Sequence, residues 1–343
     1  MTRRDAPKPS RRPTMEDVAR HAGVSQMTVS RVLGKKGYAS EEVARRVHSA
    51  ATELGYLQNR LAGGLAGTRS RLVGVALPTL RNRVFSDVLS GITHELEQFG
   101  VQPVFAVSEY APSAELRLVQ ELLTWRPQGL ILSGLEHGRA LRDTLREGLQ
   151  EGSLRVAEIM DIDGRVLDHC FGLSHRRVGR VMAEHLLHKG YRRFACIGNQ
   201  PARDLRARKR RLSFAKTLYE AGATLLIEHL DDRPSSMLHG REATAQVLRD
   251  HPDVQAIYYA NDDLAAGGLM HCLAHGIPVP GRVALAGFNG LSFLDALPQR
   301  ITTIRTPRFE IGAAAARHVI GQGDADAGPR HDLGFELIPG ETS

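Results

Sequence analysis

At 343 residues the chain is too long for a single small head, and about two further compact units are expected. Its formal net charge of +7 is local in origin: residues 1–71 hold 14 Lys and Arg against 6 Asp and Glu, while the rest hold 31 against 32. No uninterrupted apolar run is long enough to span a bilayer, and the Arg- and Pro-rich residues 1–13 lack the apolar stretch of a signal peptide, which argues against a membrane or exported protein.

Residues 1–13 read as a disordered basic arm. Two helix starts follow. Thr14 is placed to accept the backbone N–H of Asp17, whose carboxylate sits in the positive first turn. Val18, Ala19 and Ala22 then keep helical spacing until Gly23 offers a left-handed exit. Ser25 caps a second helix whose buried side is Val29, Val32 and Leu33. Helix, Gly turn and helix form a helix-turn-helix, in which the start of the second helix enters the DNA major groove. Gln26, Met27, Thr28, Ser30 and Arg31 fall on or near its outer face. Gln26 suits adenine, Arg31 guanine and Met27 a thymine methyl, whereas Thr28, Ser30 and the helix N-terminus suit phosphate. The candidate DNA contacts are therefore Thr14, Ser25, Gln26, Met27, Thr28, Ser30 and Arg31. An ordinary two-helix corner with a solvated face fits the same pattern, but it does not explain why the whole basic surplus sits beside it. A third helix, residues 40–54, is capped by Ser40 and carries Val43, Val47, Ala50, Ala51 and Leu54 at helical spacing before Gly55 and Tyr56 end it.

The runs Asp17-Val18-Ala19, Ala22-Gly23-Val24-Ser25 and Thr28-Val29-Ser30-Arg31-Val32-Leu33 resemble the signature of the lac-repressor (LacI/GalR) family of transcriptional regulators, and Asn59 and Leu65 stand at matching positions of its hinge. The resemblance implies a short hinge helix within residues 59–70 that forms on DNA, with Leu65 wedged into the minor groove. Gly63 and Gly64 depart from the family pattern, and each costs a helix roughly 1 kcal/mol relative to Ala. This hinge is thus expected to be helical only when the operator and a dimer partner hold it.

From residue 71 short apolar runs alternate with amphipathic helices. Strands are expected at 72–77, 101–107, 129–132, 155–160, 194–198, 225–229, 256–259, 283–287 and 335–338. Helices are expected at 88–99, 114–123, 139–149, 178–189, 213–221, 241–249 and 264–275. Such alternation means parallel sheets covered by helices on both faces. The fold class is an all-α head with an α/β core, and the resemblance implies two doubly wound sheets in a periplasmic-binding-protein-like layout with ligand between them. The expected division is a helix-turn-helix domain at 14–58, a hinge at 59–70 and a core at 71–340. The core divides into a first subdomain, about 71–173 and 305–331, and a second, about 174–304 and 332–340.

Ligands of doubly wound sheets lie outside the carboxyl ends of the strands. The residues there that match effector positions of the family are Ser86, Asp161, Arg210, Asn261 and Asn289. A stretch read as a basic loop, residues 203–216, has seven Lys or Arg and one acid, Asp204. In it Arg206 and Arg208 alternate with Leu205 and Ala207 and are expected to share a face with a bidentate grip suited to carboxylate or phosphate. Lys209 and Arg211 are the outer residues of the cluster, for which a solvated helix face is the plainer alternative, and Asp262 alternatively caps a helix starting at Leu264. Residues 287–290 and 302–308, together with Met27, most resemble gluconate-type repressors. Ser174 fits that branch, while His175 stands where Asn is usual. The resemblance thus implies a small sugar-acid effector; the alternative is a neutral sugar, another metabolite or a corepressor.

Three widely spaced cysteines, Cys170, Cys196 and Cys272, fit free thiols in a reducing cytoplasm. His185 with His188, and His271 with Cys272 and His275, lack convergent ligands for a metal. Gly-x-Ser-x-Gly and phosphate-loop motifs are missing, and Asp262 and Asp263 point apart. The expectation is a cytoplasmic, homodimeric regulator on a near-palindromic operator, with no catalytic residue, cofactor, metal or membrane partner.

Overall fold

The computed structural model describes residues 13–34, 39–57, 70–199, 204–323 and 328–343. Asn59, Leu65 and the basic arm up to residue 12 lie outside the described residues. The chain divides into two compact units, residues 1–70 and 71–343.

The first unit is three helices, α1 (Met15–Ala22), α2 (Gln26–Leu33) and α3 (Glu41–Glu53). Their starts follow the local chemistry of the sequence. Thr14 and Asp17 form a reciprocal capping box, Ser25 accepts the N–H of Thr28 at 3.1 Å and Ser40 accepts that of Val43 at 3.4 Å. Gly23 leaves α1 at φ 64°, a left-handed backbone that a Cβ would strain. Val18, Ala22, Val29, Val32, Val47 and Ala50 close the core between the three helices. His21 on α1 meets Glu53 on α3 at 2.8 Å across the bundle.

The second unit holds two parallel sheets. The first has the strand order β11-β5-β4-β3-β1-β2, from β1 (Leu72–Leu77), β2 (Gln102–Val107), β3 (Leu130–Ser133), β4 (Val156–Ile159), β5 (His169–Gly172) and β11 (Arg330–Asp332). Helices α4 (Val84–Gln98), α5 (Pro112–Thr124), α6 (Arg139–Gln150) and α11 (Arg308–Val319) belong with it. The second has the order β7-β6-β8-β9, from β6 (Arg193–Asn199), β7 (Thr224–Asp231), β8 (Ala256–Tyr259) and β9 (Ala284–Ala286). With it go α7 (His175–His188), α8 (Leu205–Glu220), α9 (Met237–Asp250) and α10 (Asp262–Ala274). A separate antiparallel pair joins β10 (Thr303–Arg305) to β12 (Glu336–Ile338). The all-α head and doubly wound α/β core read from the sequence are the architecture observed.

Central strands are nearly continuous apolar runs because both faces are covered; five of the six residues of β1 are buried. α4 and α11 pack so closely that a Cβ on Gly91 would lie 2.1 Å from the carbonyl of Phe309, and one on Gly312 2.1 Å from that of Val88. Only glycine permits this reciprocal backbone approach, which seats α11 against the first sheet although it follows the second in sequence. Several expectations are corrected. α8 begins at Leu205 rather than near residue 213, so the expected basic loop is helical. β5, β10, β11 and α11 were not expected at all. Helices α4, α7, α9 and α10 each start earlier than expected, and in α7 and α10 the reason is a polar first turn that carries no apolar period.

Candidate nucleic-acid interface and ligand cleft

On α2 the buried Val29 and Val32 force the opposite face outward. Ser25, Gln26, Met27, Ser30 and Arg31 are exposed, and Met27, an apolar side chain, is 72% exposed. Gln26 with Ser30 and Met27 with Arg31 are i,i+4 neighbours, so the four form one surface. Among the described residues no carboxylate pairs with Arg31. Thr28 is half-buried, its hydroxyl 2.9 Å from that of Ser25. Thr14 is engaged with Asp17, its hydroxyl donating to the carboxylate at 2.7 Å.

In the core, α8 carries the chemistry. Asp204 caps it by accepting the N–H of Ala207 at 3.0 Å, and long aliphatic-stemmed Arg and Lys favour the helix that follows. Helical register separates Arg206 from Arg208 by about 200°, which corrects the shared face expected for them. Arg206 is largely buried and donates to Ser133 Oγ at 3.1 Å, at the end of β3. Arg208 is exposed. Arg210, one turn beyond Arg206, is 5% exposed. Its depth depends on Gly179 of α7, where a Cβ would lie 2.0 Å from the Arg210 carbonyl.

The Arg210 guanidinium lies 3.7 Å over the Phe288 ring and donates to the carbonyl of Ala260 at 2.9 Å. Its other terminal nitrogen is 3.0 Å from His175 Nδ1. Arginine only donates, so Nδ1 accepts, and His175 Nε2 carries the proton it donates to the Met160 carbonyl at 2.7 Å. Burial, with Arg210 and Arg206 adding repulsion, holds His175 neutral, well below the usual imidazole range. Arg210 Nε has no hydrogen-bond partner among the described residues, nor has the hydroxyl of neighbouring Tyr258. Burial also pulls Arg210 below the ordinary arginine value. Among the described residues no carboxylate lies within ion-pair distance of it.

The adjacent cations differ. Lys209, read as an outer residue, has its ammonium 2.6 Å from Asp161 Oδ2 and against Glu136 Oε1. Burial opposes its charge, but the two carboxylates raise its pKa overall. Arg211 pairs with Glu228. Asp161 is fully buried and spent on Lys209 and the N–H of Asp163. Arg308, not singled out from the sequence, binds Asp87 at 2.8 Å and the Asn289 carbonyl, tying α11 and α4 to the loop after β9.

Asn261, not Asp262, caps α10, accepting the N–H of Leu264 at 3.1 Å while its amide donates to Ser235. Asp262 is the first helical residue and fully buried, accepting from Thr303 Oγ at 2.6 Å and Leu291 N at 2.9 Å; burial pushes it up to about 6. It braces the fold. Asn289 is 4% exposed with its backbone at φ 126°, and Met160 holds φ 71°. Such conformations cost of order 1–3 kcal/mol and persist where the surroundings impose them. Ser86 is exposed in the first turn of α4, its hydroxyl donating to the Arg83 carbonyl. A cavity of about 130 Å³ beside the start of α8 is lined by Ser108, Tyr110, Ser133, His137 and Arg206, among others.

Residues 14–59 match the model for bacterial regulatory proteins of the lacI family, and residues 183–343 that for the periplasmic binding protein-like domain. The transcriptional regulator GntR of Pseudomonas aeruginosa is 37% identical over 97% of this chain and 96% of its own. The chain belongs to the LacI family. GntR of Escherichia coli strain K12 is 31% identical over 96% of this chain and 98% of its own. A crystal structure of a LacI-family regulator from Silicibacter pomeroyi superposes with a TM-score of 0.89 at 42% identity, covering 96% of this chain and 99% of that one. The protein is a helix-turn-helix, DNA-binding transcriptional regulator. Among the described residues no helix is long and apolar enough to cross a membrane.

As a LacI-family cleft, the core brings Arg206, Arg210 and Asp161 to one region and leaves Arg208 on the outside. Sequence reasoning missed His175 as the acceptor that orients Arg210, Lys209 as the partner of Asp161, and Arg308. The departure of His175 from the usual Asn was the one available signal.

Proposed function

We propose that the protein is a repressor that binds a near-palindromic operator as a homodimer in the cytoplasm, released or retained by a small sugar acid of the gluconate type. It acts by binding and uses no catalytic residue, cofactor or membrane. On this reading Gln26, Met27 and Arg31 read bases while Thr14, Ser25, Thr28 and Ser30 position the helix on phosphate. Asn59 and Leu65, outside the described residues, would complete a hinge at 59–70 between the DNA-binding domain at 14–58 and the core at 71–340. The core divides at about 71–173 with 305–331, and 174–304 with 332–340. Effector contacts are assigned to Arg206, Arg210 and Asn289, with Ser86 and Asn261 at the rim; Asp161 serves through Lys209, and Arg208 keeps only an outer role.

The observation that carries the acidic effector is Arg210, a buried guanidinium with an unused N–H and, among the described residues, no carboxylate within ion-pair distance (Asp204 acts on it only at longer range), while Lys209, Arg211 and Arg308 each have one. A buried charge without a counterion is costly, and a ligand carboxylate supplies what is missing. Resemblance to regulators named GntR supports the same choice. The test is a calorimetric screen of gluconate, its keto and phosphorylated relatives, and neutral sugars against the purified chain, followed by the effect of each binder on operator affinity. Binding of a sugar acid that changes operator affinity is expected. Binding of neutral sugars alone would remove Arg210 from the explanation.

A further inference from the structure

One edge of the first sheet gathers imidazoles that DNA reading and effector binding leave unused. β5 begins with His169, preceded by Asp168; β11 pairs with β5 and carries His331; the last turn of α11 brings His318 to the same place. His318 Nε2 is 3.2 Å from Asp168 Oδ2, and His169 Nε2 is 4.0 Å from Asp168 Oδ1. The His169 and His318 rings lie 4.1 Å apart. One ligand atom from each of Asp168, His169 and His318 falls within a 4.8 Å group. Two bonds of about 2.0–2.1 Å at a tetrahedral ion place neighbouring ligand atoms about 3.4 Å apart, so these groups need only small rotations to converge.

The geometry points to a binding site for a divalent transition ion of the zinc type, with Asp168, His169 and His318 as ligands and His331 as the outer partner that orients His169. Two imidazoles and a carboxylate suit zinc, nickel or copper, whereas calcium and magnesium prefer all-oxygen sets. His169 Nδ1 is 3.0 Å from His331 Nε2, which leaves Nε2, the nitrogen on the Asp168 side, for the metal. His331 is itself held flat against Phe171, with ring centroids 4.3 Å apart and 7° between planes. The ligands come from β5, the segment before it and α11, so an ion would clamp the returning α11 segment to the sheet edge.

His229, Asp231 and His239 make a comparable group in the second sheet's layer. Each carboxylate already accepts one backbone N–H, Asp168 Oδ2 that of Val156 at 2.8 Å and Asp231 that of Arg233 at 2.8 Å, but Asp231 also receives the Arg233 Nε at 2.7 Å. A dication would have to approach beside that fixed guanidinium, so this group serves as the internal control.

The test uses the tag-free full chain, stripped with a chelator, titrated with zinc by calorimetry and assayed for retained metal after desalting. One ion per chain is expected. His169→Gln and His318→Gln should each weaken binding at least a hundredfold, His331→Gln about ten- to a hundredfold, and His239→Gln not at all. The proposal is overturned if the wild-type chain retains no zinc, if His169→Gln and His318→Gln retain it at wild-type affinity, or if His239→Gln loses it. Circular dichroism of the stripped variants separates loss of ligand from loss of fold. Cobalt substitution of the wild-type chain requires no variant: visible bands of a nitrogen- and oxygen-ligated site are expected, and their absence overturns the assignment.

Discussion

Arg210→Met tests the cleft most directly. The methionine fills much of the same volume against Phe288 and removes the buried charge. Two effects on the ligand-free protein oppose each other. The His175 Nδ1 and Ala260 carbonyl lose a donor, at about 1–3 kcal/mol for each group left unsatisfied. Against this, an unpaired buried cation and an idle N–H disappear. Stability should therefore change by no more than about 2 kcal/mol, the residual of losses and relief of similar size. Ligand binding has no such compensation. Truncating one partner of a buried, hydrogen-bonded charge pair costs about 2–5 kcal/mol, or roughly thirtyfold to several thousandfold in Kd. Arg210→Lys keeps the charge but loses the planar fork, and should fall between. Calorimetry with gluconate measures the affinity, and fluorescence anisotropy on an operator duplex measures DNA binding, which should persist. If Arg210→Met binds gluconate with the wild-type Kd, the guanidinium is not the carboxylate receptor and the reasoning fails.

Arg31→Ala should lose roughly 1–3 kcal/mol at a single operator base pair, read by anisotropy on point-substituted duplexes; a uniform loss on every sequence would assign Arg31 to phosphate. Lys209→Met leaves the fully buried Asp161 without its cation and should destabilise the core by about 3–5 kcal/mol in urea, with Lys209→Met/Asp161→Asn recovering most of it. No recovery in the double variant would show that the pair is not the cause. Burial opposes the charge of His137, but the carboxylates of Glu115 at 3.0 Å and Glu158 at 3.3 Å outweigh it and push its pKa up to about 9. A raised pKa means the folded state holds the proton longer, so this contribution is complete below about pH 6.5 and disappears as pH rises through about 9. Wild-type stability should fall over that window by roughly 3 kcal/mol more than that of His137→Gln, measured as urea midpoints against pH.

The head was legible because its determinants are local. A cap, a helical period and a glycine at φ 64° are all written within a few residues of where they act. α8 was not, because a run of Arg and Lys resembles a solvated loop when only polarity is weighed. The same side chains have good helix propensity, and Asp204 was the available start signal. β5 and β11, four and three residues long, are too short for any alternation to register. α11 is placed by Gly312, which lets α4 approach, a contact between segments some two hundred residues apart that no local period records. In the cleft, Arg210 could be picked out from the family pattern, but the difference between it and Lys209 lies in partners. Asp161 and Glu136 reach Lys209 from the ends of other strands, a fact of topology that no window of sequence contains.

That difference also bears on how the regulator can switch. A ligand moves an equilibrium only by its differential affinity for the two states. Lys209 with Asp161 and Glu136, Arg206 with Ser133, and Arg308 with the Asn289 carbonyl already join the layers of the two sheets without any effector. These contacts favour the present arrangement, whatever the ligand. Arg210 is the exception, since its hydrogen bonds and ring contact stay within the second sheet's layer and none is to a carboxylate. An acid that pairs with Arg210 therefore gains most in the arrangement where the guanidinium is most deeply buried, and a neutral sugar of the same size gains little. On the proposed reading this selects both the ligand and the state. A complete switch needs about 5.5 kcal/mol of discrimination. One desolvated carboxylate–guanidinium pair supplies about 2–5 kcal/mol of it, leaving the hydroxyls of the sugar chain to provide the rest.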